Sequence, residues 1–287
     1  MNILTTGAGG QLGNELRLLQ GGNSHKWFNT DVAELDITDM RAVEAYVEAN
    51  SIDGVVNCAA YTAVDKAETD KALCTAINAE APAYLAAAVA RRGGWMVHIS
   101  TDYVFDGKGC RPYREDDTPG PQSVYGSTKL AAETAVARIC PQSAIIRTSW
   151  LYSTFGNNFV KTMLRLGRER DSLGIVADQV GTPTYAADLA AAIMAMVGAG
   201  IKPGVYHYSN EGAATWYDFT KAIHRIAGVE GCKVSPIRTE EYPVPAPRPY
   251  YSVLDKAKVK RTYGIEIPHW QDSLAVCMAK MEGGAAR

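Results

Sequence analysis

The chain has 287 residues, of which 47% are hydrophobic and 21% charged, with a formal net charge of −2. This is the composition of a soluble globular protein with one large core and an appended lobe, and it excludes a disordered chain. The charges are scattered and give no basic footprint, so no nucleic-acid partner is expected; residues 165–170 (Arg-Leu-Gly-Arg-Glu-Arg) read as the wet end of a helix.

Residues 2–6 (Asn-Ile-Leu-Thr-Thr) read as a short buried strand running into Gly7-Ala-Gly-Gly-Gln-Leu-Gly13, with helix formers at 14–19. Gly7 permits the tight turn, Gly10 lets a pyrophosphate approach the backbone, and Gly13 lets the helix pack closely with its N-terminus facing phosphate charge. Residues 27–31 predict a second strand ending in an acid, 38–50 a helix and 54–57 a third strand. The alanine-rich stretch 65–92 reads as helix, and 95–99 as a strand bounded by Gly94 and Ser100. A helix from about Val124 and a strand at 144–147 follow.

Such alternation predicts an α/β fold, a Rossmann-type doubly wound parallel sheet covered on both faces. Its ligands should lie outside the strand carboxyl ends, where Gly7, Asn57, Ser100 and Thr148 fall. Beyond Trp150, helices are expected at 158–170 and 188–197 and strands at 174–177 and 204–208. Trp216, Phe219, Ile223 and Ile226 repeat at helical spacing and read as a core stripe. The proline-rich stretch 243–249 reads as an ordered loop. The expected division is a dinucleotide-binding domain over 1–150, with 183–209 returning to it, and a smaller α/β substrate-binding lobe made of 151–182 and 210–287.

Cys58, Cys74, Cys110, Cys140, Cys232 and Cys277 form no C-x-x-C pair, so buried reduced thiols are expected rather than a zinc site or a disulfide framework. A reducing cytoplasm fits. The first apolar run is cut at Gly7, and no run is expected to reach the length of a membrane span.

Tyr125 and Lys129 stand four residues apart. On a helix they share one face, where an ammonium can stabilise a phenolate and make the phenol a better proton donor. A free phenol titrates at ~10 and needs such a neighbour to shuttle protons near neutrality. Alone, the pair reads as a solvated lysine beside a packed tyrosine.

Residues 7–13, 56–68, 100–107 (Ser-Thr-Asp-Tyr-Val-Phe-Asp-Gly) and 125–130 (Tyr-Gly-Ser-Thr-Lys-Leu) closely resemble the dTDP-4-dehydrorhamnose reductases, extended short-chain dehydrogenases. So do 147–150, 157–159, 178–184 and Arg248-Pro249, which carries the resemblance over nearly the whole chain. It implies reduction of the 4-keto group of a dTDP-linked 6-deoxysugar by NAD(H) or NADP(H). Tyr125 would protonate the carbonyl oxygen, Thr101 would hydrogen-bond it, and Lys129 would hold the nicotinamide ribose. Gly7, Gly10, Gln11, Leu12 and Gly13 would cradle the pyrophosphate, and Ala60, Tyr61 and Thr62 the middle of the cofactor. Asp31 could accept from the adenosine ribose, where its charge favours NAD(H) over NADP(H), and Asp36 and Ile37 would contact adenine. Asp102, Tyr103 and Trp150 would face the sugar, with Asn157, Asn158, Gln179 and Arg248 toward the nucleotide and its diphosphate; a surface salt bridge is the equal alternative for Arg248. His98 is expected to pack near the sheet end. The magnesium found at a dimer contact in some relatives is not carried over, because Tyr185-Ala-Ala precedes Asp188. Two other functions stay open, a non-catalytic regulatory subunit like the β-subunit of methionine adenosyltransferase and a sugar-nucleotide epimerase or dehydratase. A homodimer is left open.

Overall fold

The computed structural model describes residues 1–22 and 24–285. Strand β1 (Asn2–Thr6) leads through the glycine turn into α1 (Gln11–Leu19), β2 (Lys26–Thr30), α2 (Met40–Ala49) and β3 (Gly54–Asn57). Next come α3 (Val64–Ala67), α4 (Lys71–Thr75), a π-helical turn (Ala76–Glu80), α5 (Ala81–Arg91), β4 (Trp95–Thr101), α6 (Val124–Ile139) and β5 (Ser143–Thr148). The chain then forms β6 (Leu151–Tyr152), α7 (Phe159–Glu169), β7 (Ser172–Val176), β8 (Val180–Gly181), β9 (Thr184–Tyr185), α8 (Ala186–Ala199) and β10 (Gly204–His207). It ends with β11 (Ala214–Thr215), α9 (Trp216–Ile226), β12 (Lys233–Ile237), α10 (Ala257–Tyr263) and α11 (Trp270–Ala285).

Six strands make one parallel sheet in the order β10-β5-β4-β3-β1-β2. Side chains alternate along a strand, so strands buried at every position need cover on both faces. Ile3, Val56, Val97 and Ile146 pack on one face with α1 and α8. Their neighbours Leu4, Val55, Met96 and Ile145 pack on the other, with α2, α5 and Val136 of α6. From β1 the chain builds outward in both directions, which opens a crevice at the carboxyl ends of β1 and β3.

The stretch read as one helix over 65–92 is interrupted. A π-helical turn, a feature common at functional sites, sits at Ala76–Glu80 and aims the buried Asn78 side chain at Tyr61. Residues Lys71–Arg91 also overturn the expectation about membrane-span length, since they are long and apolar enough by composition, with mean hydropathy 1.3. Their apolar side is the sheet cover: Leu85, Ala86 and Val89 are fully buried in the core under β3 and β4.

Segment 183–209 returns to the sheet through α8 and β10. So does α10, placed in the lobe by the sequence division: Val259 is buried on the sheet core beside Tyr206 and Tyr263. The lobe has its own core of Tyr152, Val160, Tyr185, Phe219, Ile223, Trp270 and Leu274. The proline-rich loop is anchored where Ala246 N donates to Asp65 Oδ1. All six thiols are free, but only four are buried; Cys110 is exposed and Cys58 half-buried.

Candidate active site

The glycine turn is tight because backbone passes on three sides. Gly7 has φ of 65°, and a Cβ there would lie 2.7 Å from Ala59 Cα. A Cβ on Gly13 would overlap Gly7 O and Ala8 Cα, so this glycine lets α1 sit directly on the turn. Its N-cap, Gly10, has no side chain to cap the helix. The first-turn amides therefore keep free N–H groups beside the β1 end, the arrangement that binds phosphate. A turn kept tight by Gly7 and Gly13 fits a dinucleotide pyrophosphate. Leu12 contributes backbone alone, because its side chain is buried in the sheet core.

Around this cradle, Asp31 accepts from Gly9 N at 3.0 Å and stiffens the turn. Tyr61 is held at both ends of its peptide by Asn78, through N to Oδ1 at 2.8 Å and Nδ2 to O at 3.0 Å. Ala60 and Thr62 flank it on the loop after β3. Asp36 accepts from the Thr38 hydroxyl and amide, which hold its carboxyl below the usual range. Ile37 is buried against Val43 and Leu35, so its side chain belongs to the core rather than to an adenine face.

At the end of β4, Thr101 donates from Oγ1 to Asp102 Oδ1 at 3.0 Å and caps the short turn Asp102–Val104. Ser123 caps α6 by accepting from Gly126 N. A Cβ on Gly126 would overlap Tyr103 O, so glycine lets the helix start press onto that turn. Tyr125 is thereby brought edge-on to Tyr103, ring centroids 5.5 Å apart, with its phenol in hydrogen-bonding contact with Thr101.

Burial pushes the Tyr125 phenol up to about 12, with the Thr101 hydroxyl acting the other way. Burial likewise raises Asp102 to about 6 and depresses Lys129 to about 8. Lys129 shares the helix face of Tyr125, and its Nζ is directed at β4. There it donates to Ile99 O at 2.5 Å and lies 3.4 Å from His98 Nε2. One turn further, Glu133 is spent on Arg147 at 2.7 Å and Ser100 at 2.5 Å.

On the lobe side, Trp150 has φ of 47°, a strained conformation for a bulky residue, and stacks on Trp216 at 3.5 Å and 8°. Trp216, part of the stripe expected from its spacing, is thus the packing partner of Trp150. Gln179 braces that pair, accepting from Trp216 Nε1 and donating to Thr239, so neither end of its amide is free. Asn158 is likewise spent: it caps α7 and donates to Ser153 O and Gln11 Oε1. Asn157, beside it, is exposed. Arg248 pairs with Asp65 at 2.7 Å near Tyr103, so the salt bridge exists at the cleft mouth itself. The sequence reading did not bring Asn57, Asn78 and Trp216 to the site; only the strand-end position of Asn57 hinted at it.

The sequence pattern of one family, described as the RmlD substrate binding domain, matches residues 1–282. A dTDP-4-dehydrorhamnose reductase of Aggregatibacter actinomycetemcomitans is 41% identical over 95% of this chain and 96% of its own. The crystal structure of a dTDP-4-dehydrorhamnose reductase from Clostridium acetobutylicum superposes with a TM-score of 0.96 at 44% identity, covering 98% of this chain and 100% of that one. The Bacillus anthracis reductase, solved in complex with NADP, superposes at 0.94 with 38% identity, over 97% and 99% of the two chains.

Proposed function

This chain belongs to the RmlD substrate binding domain family, and from that premise we propose that it is a dTDP-4-dehydrorhamnose reductase. It reduces the 4-keto group of dTDP-4-dehydro-L-rhamnose to give dTDP-L-rhamnose, using NADPH or NADH, and so supplies an activated sugar for polysaccharide synthesis. The observation that carries this is the gathering of Thr101, Tyr125 and Lys129 at the β4 and α6 ends, beside the uncapped glycine turn. Cytoplasmic residence is part of the proposal, supported by six free thiols.

Tyr125 is the proton donor. Burial keeps its phenol protonated at neutral pH and ready to give that proton to the ketone oxygen, and a reduced nicotinamide held beside it would supply the hydride. Thr101 has one hydroxyl hydrogen, now given to Asp102, so bonding the ketone oxygen requires that hydroxyl to rotate. Lys129 offers its remaining Nζ hydrogens to the ribose hydroxyls. Trp150 and Trp216 exclude water from the sugar end.

The test is oxidation of NADPH or NADH by purified protein given dTDP-4-dehydro-L-rhamnose, for wild type and Tyr125→Phe. The variant should lose roughly 10²–10⁴-fold in kcat with cofactor affinity unchanged. Equal turnover would remove Tyr125 as the acid. Zero wild-type turnover with normal cofactor binding would favour a regulatory subunit, and tightly retained oxidised cofactor an epimerase or dehydratase.

A further inference from the structure

Three buried residues behind the phenol form one directed chain of hydrogen bonds. The backbone N–H of Ala59 can only donate, and it reaches Asn57 Oδ1 at 3.2 Å, as does the Thr6 hydroxyl at 2.7 Å. The Asn57 amide is thereby fixed with Nδ2 toward His98 Nδ1, 3.1 Å away. An amide nitrogen is a donor, so Nδ1 must be the acceptor and carries no proton. His98 is fully buried, and burial first, then the Lys129 charge, holds its pKa well below normal, so the ring is neutral. Its single proton is therefore on Nε2, and that N–H faces Lys129 Nζ at 3.4 Å.

An ammonium has three donors and no lone pair, so a charged Lys129 would set donor against donor. An uncharged amine completes the chain: its lone pair accepts from Nε2–H while one of its own hydrogens goes to Ile99 O at 2.5 Å. We propose, resting on the site reading above, that His98 is a positioning residue which, with Asn57 setting its tautomer, presents a donor to Lys129 Nζ and so favours the amine over the ammonium in the cofactor-free protein. The other groups facing Lys129 do not reverse this. Glu133 favours the charged form but is already paired with Arg147 and Ser100, while Cys58 and Cys74 are thiols, and burial raises Cys58 further. A phenolate or the ribose diol facing Nζ shifts the balance back toward the ammonium.

Nuclear magnetic resonance of the labelled, cofactor-free protein tests this without turnover. Imidazole ¹⁵N shifts should show His98 as the neutral Nε2–H tautomer throughout the neutral range, and the Lys129 Cε signal, assigned by its loss in Lys129→Met, should titrate near 8. In Asn57→Asp the new carboxylate can only accept, so the ring proton moves to Nδ1 and Nε2 becomes an acceptor for an ammonium. The Lys129 titration should then rise by about one pH unit or more, a tenfold gain in proton affinity. His98→Gln, whose amide can rotate its oxygen toward Nζ, should shift it the same way and serves if Asn57→Asp does not fold. A merely structural role would lower the melting temperature and leave the lysine titration in place. An Nδ1–H tautomer in wild type, or an unmoved titration in a folded variant, would overturn the proposal; loss of reductase activity alone bears only on the catalytic assignment.

Discussion

Asp102 illustrates how one buried side chain can weigh on the fold. It is 2% exposed, and burial raises it to about 6 from 3.8 although the Ser252 and Thr101 hydroxyls act the other way. Because the native state holds this proton more tightly than the unfolded chain does, the stabilising contribution is complete below about pH 4 and is lost as pH rises through about 6. The shift corresponds to ~3 kcal/mol. Asp102→Asn keeps an acceptor for Thr101 but cannot ionise. Denaturant unfolding should therefore show the variant gaining stability relative to wild type between about pH 4 and 7, by up to that amount. Parallel curves for the two proteins would mean the carboxyl titrates normally.

Among the elements, α1 bears most directly on the cofactor. Gly13→Ala would force a methyl group against Gly7 O and Ala8 Cα and lift the helix from the turn. Overpacking of this kind costs about 1–3 kcal/mol, and cofactor affinity should fall with it, as read by thermal melting and ligand titration. If both held steady, α1 would be less tightly seated than its contacts indicate. This turn was legible in the sequence because its signal is local, three glycines between a strand and a helix. Thr101, Tyr125 and Lys129 depended on the family resemblance instead, because a hydroxyl at a strand end and a Tyr-x-x-x-Lys pair read alone as structural. What escaped the sequence depends on distant pairs: His98 and Asn57 are 41 residues apart, and Gln179 and Trp216 37. The π-helical turn escaped because residues 65–92 are good helix formers throughout, and the purpose of the irregularity, Asn78 clamping Tyr61, lies outside the helix.

At the scale of the whole molecule, the chain crosses between domain and lobe several times. Helix α8 and strand β10 return to cover and extend the sheet, and α10 closes over them. Buried contacts tie the lobe to α1, where Ser153 donates to Glu15 at 2.6 Å, and to α8, where Ser273 donates to Asp188 at 2.5 Å. A fragment of residues 1–150 would lack α8 and leave Ile3, Leu16, Val56, Val97 and Ile146 without their cover on that face. It should express as an aggregating or molten species with little near-ultraviolet circular dichroism, while the intact chain unfolds in one transition. A cooperatively folded fragment would show that the first domain does not need the returning segments.

The paired indoles also make the protein its own optical probe. Trp150 and Trp216 lie in van der Waals contact and nearly parallel, so their transition dipoles couple and their emission is that of an interacting pair. A pyranose ring settling against this pair changes the medium around both chromophores at once, and one that slides between them abolishes the coupling. Exciton circular dichroism and intrinsic fluorescence can then distinguish a sugar resting on the stack from one that parts it, with no label attached.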